Sequence, residues 1–141
     1  MLAVTIMLDV AFHAGRGITV NASDIAERIG SARRGLEPLL QALTRAGLLD
    51  SVRGPRGGYR LGRPPRSIKL TEIAAIVLPG EADAADGPGG RLQEAVVDKL
   101  WNELDRDIQA RLGGLNLDDL LKRAADAGLR RPAQEPISYA I

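Results

Sequence analysis

The stretch LEPLLQALTRAGLLDSVRGPRGGYRL, residues 36–61, decides the fold because a helical pattern changes to a strand pattern within it. Its leucines recur at helical spacing, and Gly47 is placed to end the helix. Beyond Gly47, LLDSV and YRL have strand composition. They flank RGPRGG, which is too long and too rich in glycine for a two-residue turn. The stretch therefore predicts a helix followed by a two-stranded hairpin with an open tip.

The residues ahead of this stretch predict a second, shorter helix. It begins at Ala22, buries Ile25, Ala26 and Ile29, and ends at Gly30. Ser31 is then expected to cap the helix that carries the leucines. Within that helix Gly35 and Pro38 predict a kink or a late start, since proline removes a backbone hydrogen bond. Two short helices joined by a tight turn form a helix-turn-helix, and the hairpin behind them completes a winged helix-turn-helix.

The remaining elements are mostly helical, so we expect a mainly α fold with a small β-wing and a long C-terminal dimerisation helix. The pattern of residues 2–14 predicts an apolar helix. IKLTEIAAIVL has helical periodicity again and predicts a further helix whose cap lies at Thr71 or the residues around it. A long helix is expected over 91–112 and a closing helix from Asn116 to Gly128. The expected domains are a winged helix-turn-helix (1–78), a flexible linker (79–90), dimerisation helices (91–128) and a tail (129–141).

Composition excludes several classes of function. The 141 residues include no cysteine and one histidine, which rules out disulfides, thiolate catalysis and cysteine-bound metal. No nucleophile stands with a base, so we expect no enzyme, no metal site and no cofactor. With no signal-peptide pattern and no apolar run of roughly 20 residues, the expected location is the cytoplasm, away from membranes.

Charge is divided unevenly along the chain. Residues 1–77 carry 11 Lys/Arg and 6 Asp/Glu, whereas residues 78–141 carry 8 and 12. The segment 33–69 alone has 9 bases against 2 acids. A basic half joined to an acidic half predicts a polyanionic partner for the first half.

Double-stranded DNA fits both the charge and the predicted helix-turn-helix. The first turns of a recognition helix reach base edges in the major groove. Here those positions are Ser31, Arg33, Arg34 and Glu37. Arginine pairs with guanine and glutamate accepts from cytosine, although Arg–Glu pairing on the helix surface remains an alternative.

The hairpin supplies a second predicted DNA contact. Arg53 and Arg56 stand in and beside its tip, and Tyr59 follows on the second strand. The glycines at the tip, which are expected to let the backbone approach phosphates, are Gly54, Gly57 and Gly58.

The long helix predicts a homodimer. Its apolar face is larger than the small winged domain can cover. The residues expected at the dimer interface are Leu92, Val96, Val97, Leu100, Trp101, Leu104 and Ile108.

The quoted stretch, with IKLTEI behind it, resembles the Rrf2 family of bacterial winged-helix repressors. The resemblance extends to AVTIMLDVAFHA and to LWNELDRDI with LNLDDLL. It implies a homodimer whose long helices cross and which binds a palindromic operator, with the recognition helix in the major groove and the wing in the adjacent minor groove. It identifies the chain as a transcriptional regulator, and a repressor is the expected role.

The chain departs from the family at the cluster site. Family members that sense through an iron–sulfur cluster use three cysteines between the helix near Ile76 and the long helix. Here that interval is PGEADAADGPGG, so a cluster-free regulator is expected. Its signal is left open between a small-molecule effector, a partner protein and no signal at all. The alternative function is a dimeric winged-helix interaction module that docks or is controlled by a partner protein, with weak or no specific DNA binding.

Overall fold

A computed structural model describes residues 2–15, 17–55, 57–76 and 90–131. Arg56, most of the predicted linker and most of the predicted tail lie outside the described residues. Within the described part the elements, in chain order, are α1 (Leu2–His13), α2 (Ala22–Ile29), α3 (Arg33–Arg45), β1 (Leu49–Val52), β2 (Gly58–Leu61), a short 3₁₀ turn (Pro65–Ser67), α4 (Leu70–Ala74), a π-helical turn (Gln93–Val97), α5 (Asp98–Gly113) and α6 (Leu117–Asp126). The predicted class, mainly α with a two-stranded wing, is confirmed.

The turn between the two helices of the helix-turn-helix contains a glycine with left-handed backbone dihedral angles. The Asn21 side chain begins α2 by accepting a hydrogen bond from the backbone N–H of Asp24 at 2.8 Å. Gly30 ends it with φ 74°, and the backbone N–H of Ser31 donates to the Ala26 carbonyl at 3.0 Å. Ser31 thus belongs to the end of α2.

The prediction that Ser31 caps α3 is therefore wrong. The N-cap is Ala32, which has no side chain able to cap the helix. The backbone N–H of Gly35 instead donates to the Ala32 carbonyl at 3.0 Å. Pro38 does not delay the start, because α3 runs from Arg33 through Pro38 to Arg45.

The wing is a hairpin that is anchored along one edge. Its strands pair antiparallel, with Leu49 opposite Leu61 and Val52 opposite Gly58, so Gly58 lies in β2 and not in the tip. Val20, just before α2, exchanges two backbone hydrogen bonds with Tyr59, at 2.9 and 2.6 Å. The sequence did not predict this third segment, because a single bridging residue produces no alternating pattern.

The core joins α1, the helix-turn-helix, the wing and α6. Its largest fully buried side chains include Ile6, Met7, Leu36, Leu40 and Leu117. The sequence groups the closing helix with the long helix in 91–128, but α6 packs its buried Leu117 and Leu121 into the N-terminal core.

Two helix caps tie the C-terminal part of the fold together. Asn116 caps α6 as predicted, since its side chain accepts from the Asp119 N–H at 2.9 Å. The cap of α4, expected at or around Thr71, is Lys69, whose backbone N–H donates to the Glu72 carboxylate at 2.9 Å. The Leu117 N–H donates to the Ile68 carbonyl at 2.9 Å, so the beginnings of α4 and α6 are joined.

The long predicted helix is present and is exposed. Helical structure begins at Arg91, passes through the π-helical turn and continues as α5 to Gly113. No residue of α5 is buried. Among the described helices none is long and apolar enough to cross a membrane.

Candidate nucleic-acid interface

The residues predicted to contact bases, at the beginning of α3, differ in their exposure to solvent. Ser31 is half-buried in the turn between the helices, whereas Arg33, Arg34 and Glu37 are exposed. Arg33 contacts Glu37 (Nε to Oε1, 3.4 Å) and donates from Nη1 to the Ser23 hydroxyl at 3.2 Å. An exposed pair of this kind contributes about 0.2–1 kcal/mol, so DNA can displace it at low cost. Arg34 has no side-chain partner within the described part of the chain.

The wing tip carries one described arginine. Arg53 is exposed directly after β1, and Gly54 beside it has φ 115°, in the region that favours glycine. Arg56, the second predicted tip arginine, lies outside the described residues. The Gly57 N–H donates to the Gly54 carbonyl at 2.8 Å, which closes the tip into a tight turn.

Gly57 and Gly58 are explained by contacts inside the protein. A Cβ on Gly57 would lie 2.4 Å from the Val52 carbonyl oxygen, and one on Gly58 would lie 2.5 Å from the Val20 carbonyl oxygen. Both distances are too short for any side chain. A side chain at Gly57 or Gly58 would therefore force the wing backbone to shift, whatever DNA contact these residues make.

An ion pair braces the helix-turn-helix against α1. Arg28, at the end of α2, donates from Nε and Nη2 to the two carboxylate oxygens of Asp9, each at 2.9 Å. The hydrogen bonds that Arg28 donates to the Asp9 carboxylate raise the pKa of Arg28 above its ordinary value. Such two-bonded geometry fixes orientation as well as distance, so it sets the position of α2, and hence of α3, on the scaffold.

A groove that the sequence did not predict lies between α3 and the wing. It encloses about 320 Å³ and is lined by Gln41, Thr44, Arg45, Ser51 and Tyr59; we call it the α3–wing groove. Of these residues only Tyr59 had been singled out from the sequence. The spacing of Gln41 and Arg45 along α3 was a usable signal, but their approach to Ser51 depends on how α3 packs on β1.

All seven residues predicted for dimerisation are exposed. Their side chains retain 44–81% of their accessible surface, with Trp101 at 60%. Leu100, Trp101, Leu104 and Ile108 lie on one side of α5, and the other three lie in the helical residues directly before it; we call the seven together the α5 face.

Residues 1–123 match the profile of the Rrf2 family, described as an iron-dependent transcriptional regulator. The chain is 40% identical over 123 residues to the HTH-type transcriptional regulator IscR of Xenorhabdus nematophila, covering 85% of this chain and 74% of that protein. It is 41% identical over 123 residues to IscR of Vibrio campbellii, covering 85% and 73%.

Solved structures show the same likeness in three dimensions. T. potens IscR superposes with a TM-score of 0.72 at 33% identity, covering 94% of this chain and 89% of that chain. CymR, the global cysteine regulator of B. subtilis, superposes with a TM-score of 0.67 at 28% identity, covering 86% and 92%.

The donor groups of this chain do not fit an iron–sulfur cluster. Such clusters are held mainly by cysteine thiolates, and the 141 residues include none. Among the described residues no three or more His, Asp or Glu side chains gather in a position to hold a metal ion. Nothing in the described chain replaces the missing thiolates.

Proposed function

Because the chain belongs to the Rrf2 family of transcriptional regulators, we propose that it is a repressor that binds a palindromic operator as a homodimer, without an iron–sulfur cluster. Members of this family are regulators and not enzymes, so the prediction that the chain is no enzyme is confirmed. The observation that carries the proposal is the placement of Arg34, unpaired in the described chain, at the exposed start of α3, beside a wing that carries Arg53.

DNA readout divides between these two elements. Arg34 and Glu37 face solvent from the first turns of α3, where a helix in the major groove meets base edges. Arg53 extends from the wing toward the backbone or the minor groove. Phosphate contacts set orientation and base contacts set sequence, so α3 determines the operator and the wing determines most of the affinity.

The α5 face supports the homodimer. Its seven large apolar side chains would remain in water in a monomer, and an apolar patch of this kind marks an interface. A two-fold dimer formed through α5 carries two copies of α3, which is what a palindromic operator requires.

The proposed regulator responds to something other than an iron–sulfur cluster. The support is the donor set, which offers no thiolate. The remaining possibilities are a small-molecule effector, a partner protein, or no signal at all.

Selection of bound fragments from the source genome tests the function. Purified protein is incubated with sheared genomic DNA at low and at physiological salt, and the bound fragments are sequenced. We expect a palindromic motif that binds at least about a thousandfold more tightly than unrelated DNA. The Arg53→Ala variant should select the same motif with weaker binding.

The proposal fails if no fragment is bound better than unrelated DNA at low salt. A dimer that behaves in this way is the partner-docking module that the sequence left open as the alternative.

A further inference from the structure

The α3–wing groove is built from one face of the recognition helix and one face of the wing. On α3 the exposed residues Arg34, Pro38, Gln41 and Arg45 follow one another at spacings of four, three and four, so they form a single stripe along the helix. Gln41 and Arg45 are the part of this stripe that lies against the wing.

The wing side of the groove follows from strand register. Ser51 and Tyr59 are directly opposite each other in the hairpin, so their side chains lie on the same face of the sheet. The neighbouring pair, Asp50 and Arg60, lies on the other face, because side chains alternate along a strand. The only carboxylate of β1 is therefore directed away from the groove.

The lining residues offer donors and no negative charge. The residues that line the groove carry one guanidinium (Arg45), one amide (Gln41) and the hydroxyls of Ser51 and Tyr59, and no carboxylate is among them. The Thr44 hydroxyl is occupied, since it donates to the Leu40 carbonyl at 2.7 Å. The other four side chains form no hydrogen bond or ion pair within the described part of the chain.

A second basic cavity in the described structure differs in this respect. It is lined by Arg60, Arg63 and Arg131, among other residues. Arg60 is paired with Asp50 at 2.8 Å and Arg63 with Glu72 at 3.1 Å, so neighbouring carboxylates already neutralise two of its cations. In the α3–wing groove, by contrast, the Arg45 guanidinium and the donors of Gln41, Ser51 and Tyr59 have no partner within the described part of the chain.

We infer that the α3–wing groove binds one phosphodiester of the DNA backbone, through Arg45, Gln41, Ser51 and Tyr59. The inference rests on the proposed function and adds an anchor at the end of α3 away from the base-reading turn. With α3 in the major groove and the wing beside the minor groove, the strand that separates the two grooves runs between these elements. A concave site with one cation and several neutral donors suits a singly charged phosphate.

Salt dependence of DNA binding tests the role of Arg45. For the dimer on its selected fragment, the slope of log affinity against log salt should fall in magnitude by about 0.9 per half-site in Arg45→Gln. Preference for the fragment over unrelated DNA should be unchanged, because a phosphate contact carries no sequence information. The matched control is Arg60→Gln, which removes the same charge from the opposite face of the same hairpin and should leave the slope as it is.

Neutral phosphate analogues locate the contact. Single methylphosphonate substitutions along the fragment should show one phosphate per half-site whose neutralisation weakens binding by the wild-type protein. In a protein carrying both Ser51→Ala and Tyr59→Phe, substitution at that phosphate should cost several-fold less, whereas costs at other phosphates stay the same. Circular dichroism and the melting temperature establish that each variant is folded.

The inference is overturned if Arg45→Gln keeps the wild-type slope, if Arg60→Gln lowers the slope equally, or if no phosphate couples to Ser51 and Tyr59. In each of these cases the wild-type protein still selects a motif and the proposed function stands. Loss of motif selection by the wild-type protein is a separate result, and it removes the proposed function itself.

Discussion

At the scale of single residues, two glycines of the DNA-binding half have opposite roles. A Cβ on Gly58 would lie 2.5 Å from the Val20 carbonyl oxygen, whereas a Cβ on Gly35 meets nothing within 4 Å and Gly35 lies inside α3. We expect Gly58→Ala to destabilise the fold by roughly 1–3 kcal/mol through overpacking. Gly35→Ala should stabilise it by about 0.5–1 kcal/mol, because alanine loses less backbone entropy in a helix.

Urea unfolding of the two variants measures both effects. Equal stability of Gly58→Ala and the unchanged protein would mean that Val20 does not approach β2 so closely in solution. A destabilised Gly35→Ala would point to a backbone at that position that only glycine tolerates.

The two neighbouring arginines of α3 also differ. Arg33 is engaged with Glu37 and Ser23, whereas Arg34 is exposed without a side-chain partner in the described chain. We expect Arg34→Ala to lose about 1–3 kcal/mol of operator binding and to relax the preference at one base pair of each half-site. Arg33→Ala should lose less and keep the preference.

Competition binding against operators substituted at each position measures the preference. If Arg33→Ala relaxes the preference while Arg34→Ala does not, the ion pair of Arg33 opens on DNA and the assignment is reversed.

At the scale of the element, α5 is a helix whose apolar side is left uncovered by the described residues of the chain. Leu104 is central on this face and 44% exposed. We expect Leu104→Glu to convert the proposed dimer to a monomer. Burying an unpaired carboxylate in a closed apolar interface has a large free-energy cost of desolvation. Asn102→Glu adds the same charge on the opposite side of the helix and should leave the dimer intact.

Sedimentation equilibrium distinguishes one chain from two for each variant. A Leu104→Glu protein that still sediments as a dimer would exclude the α5 face as the interface.

The short helix α4 depends on one carboxylate. The hydrogen bond from the Lys69 backbone N–H lowers the pKa of Glu72 below its ordinary value of 4.5, and Arg63 lowers it further. A carboxyl whose pKa is lower in the folded state stabilises the fold above pH 4.5, and this contribution is lost as the pH falls through the lowered pKa.

The stability difference between wild type and Glu72→Gln should therefore shrink as the pH is lowered from about 6 to about 3. Denaturant titrations at several pH values give this difference. The substitution keeps an oxygen acceptor for the Lys69 N–H, so a difference that does not vary with pH would show that the charge contributes nothing.

At the scale of the whole molecule, the basic N-terminal half favours a polyanionic partner, and the exposed α5 face favours a second copy of the chain. In the proposed complex, DNA neutralises the basic half and a second copy of the chain covers the α5 face, so the operator geometry must match the spacing of the two α3 helices. We expect insertion of about five base pairs between the half-sites to abolish specific binding, since it turns one half-site to the opposite side of the duplex.

Insertion of about ten base pairs returns both half-sites to the same side of the duplex. It should recover part of the binding if the protein or the DNA bends to the longer spacing. Gel-shift titration of the three fragments gives the comparison. Unchanged affinity for the five-pair insertion would mean that each protomer binds its half-site independently.

Local patterns in the sequence determined the class of fold, the positions of the helices and hairpin, the exposed apolar face of α5 and the exposed first turns of α3. Each of these depends on periodicity or on a turn residue within a few positions, as with Gly30 at the end of α2 and Asn116 at the start of α6. The misplaced cap is a local error, in which Ser31 completes one helix and cannot begin the next.

Only the tertiary structure decided the rest. Val20 meets Tyr59, α6 returns to the N-terminal core, and Gln41 and Arg45 come to face Ser51. These contacts join residues of different elements, and they depend on how whole elements pack. Periodicity shows which face of an element is buried, but it does not show which other face lies against it.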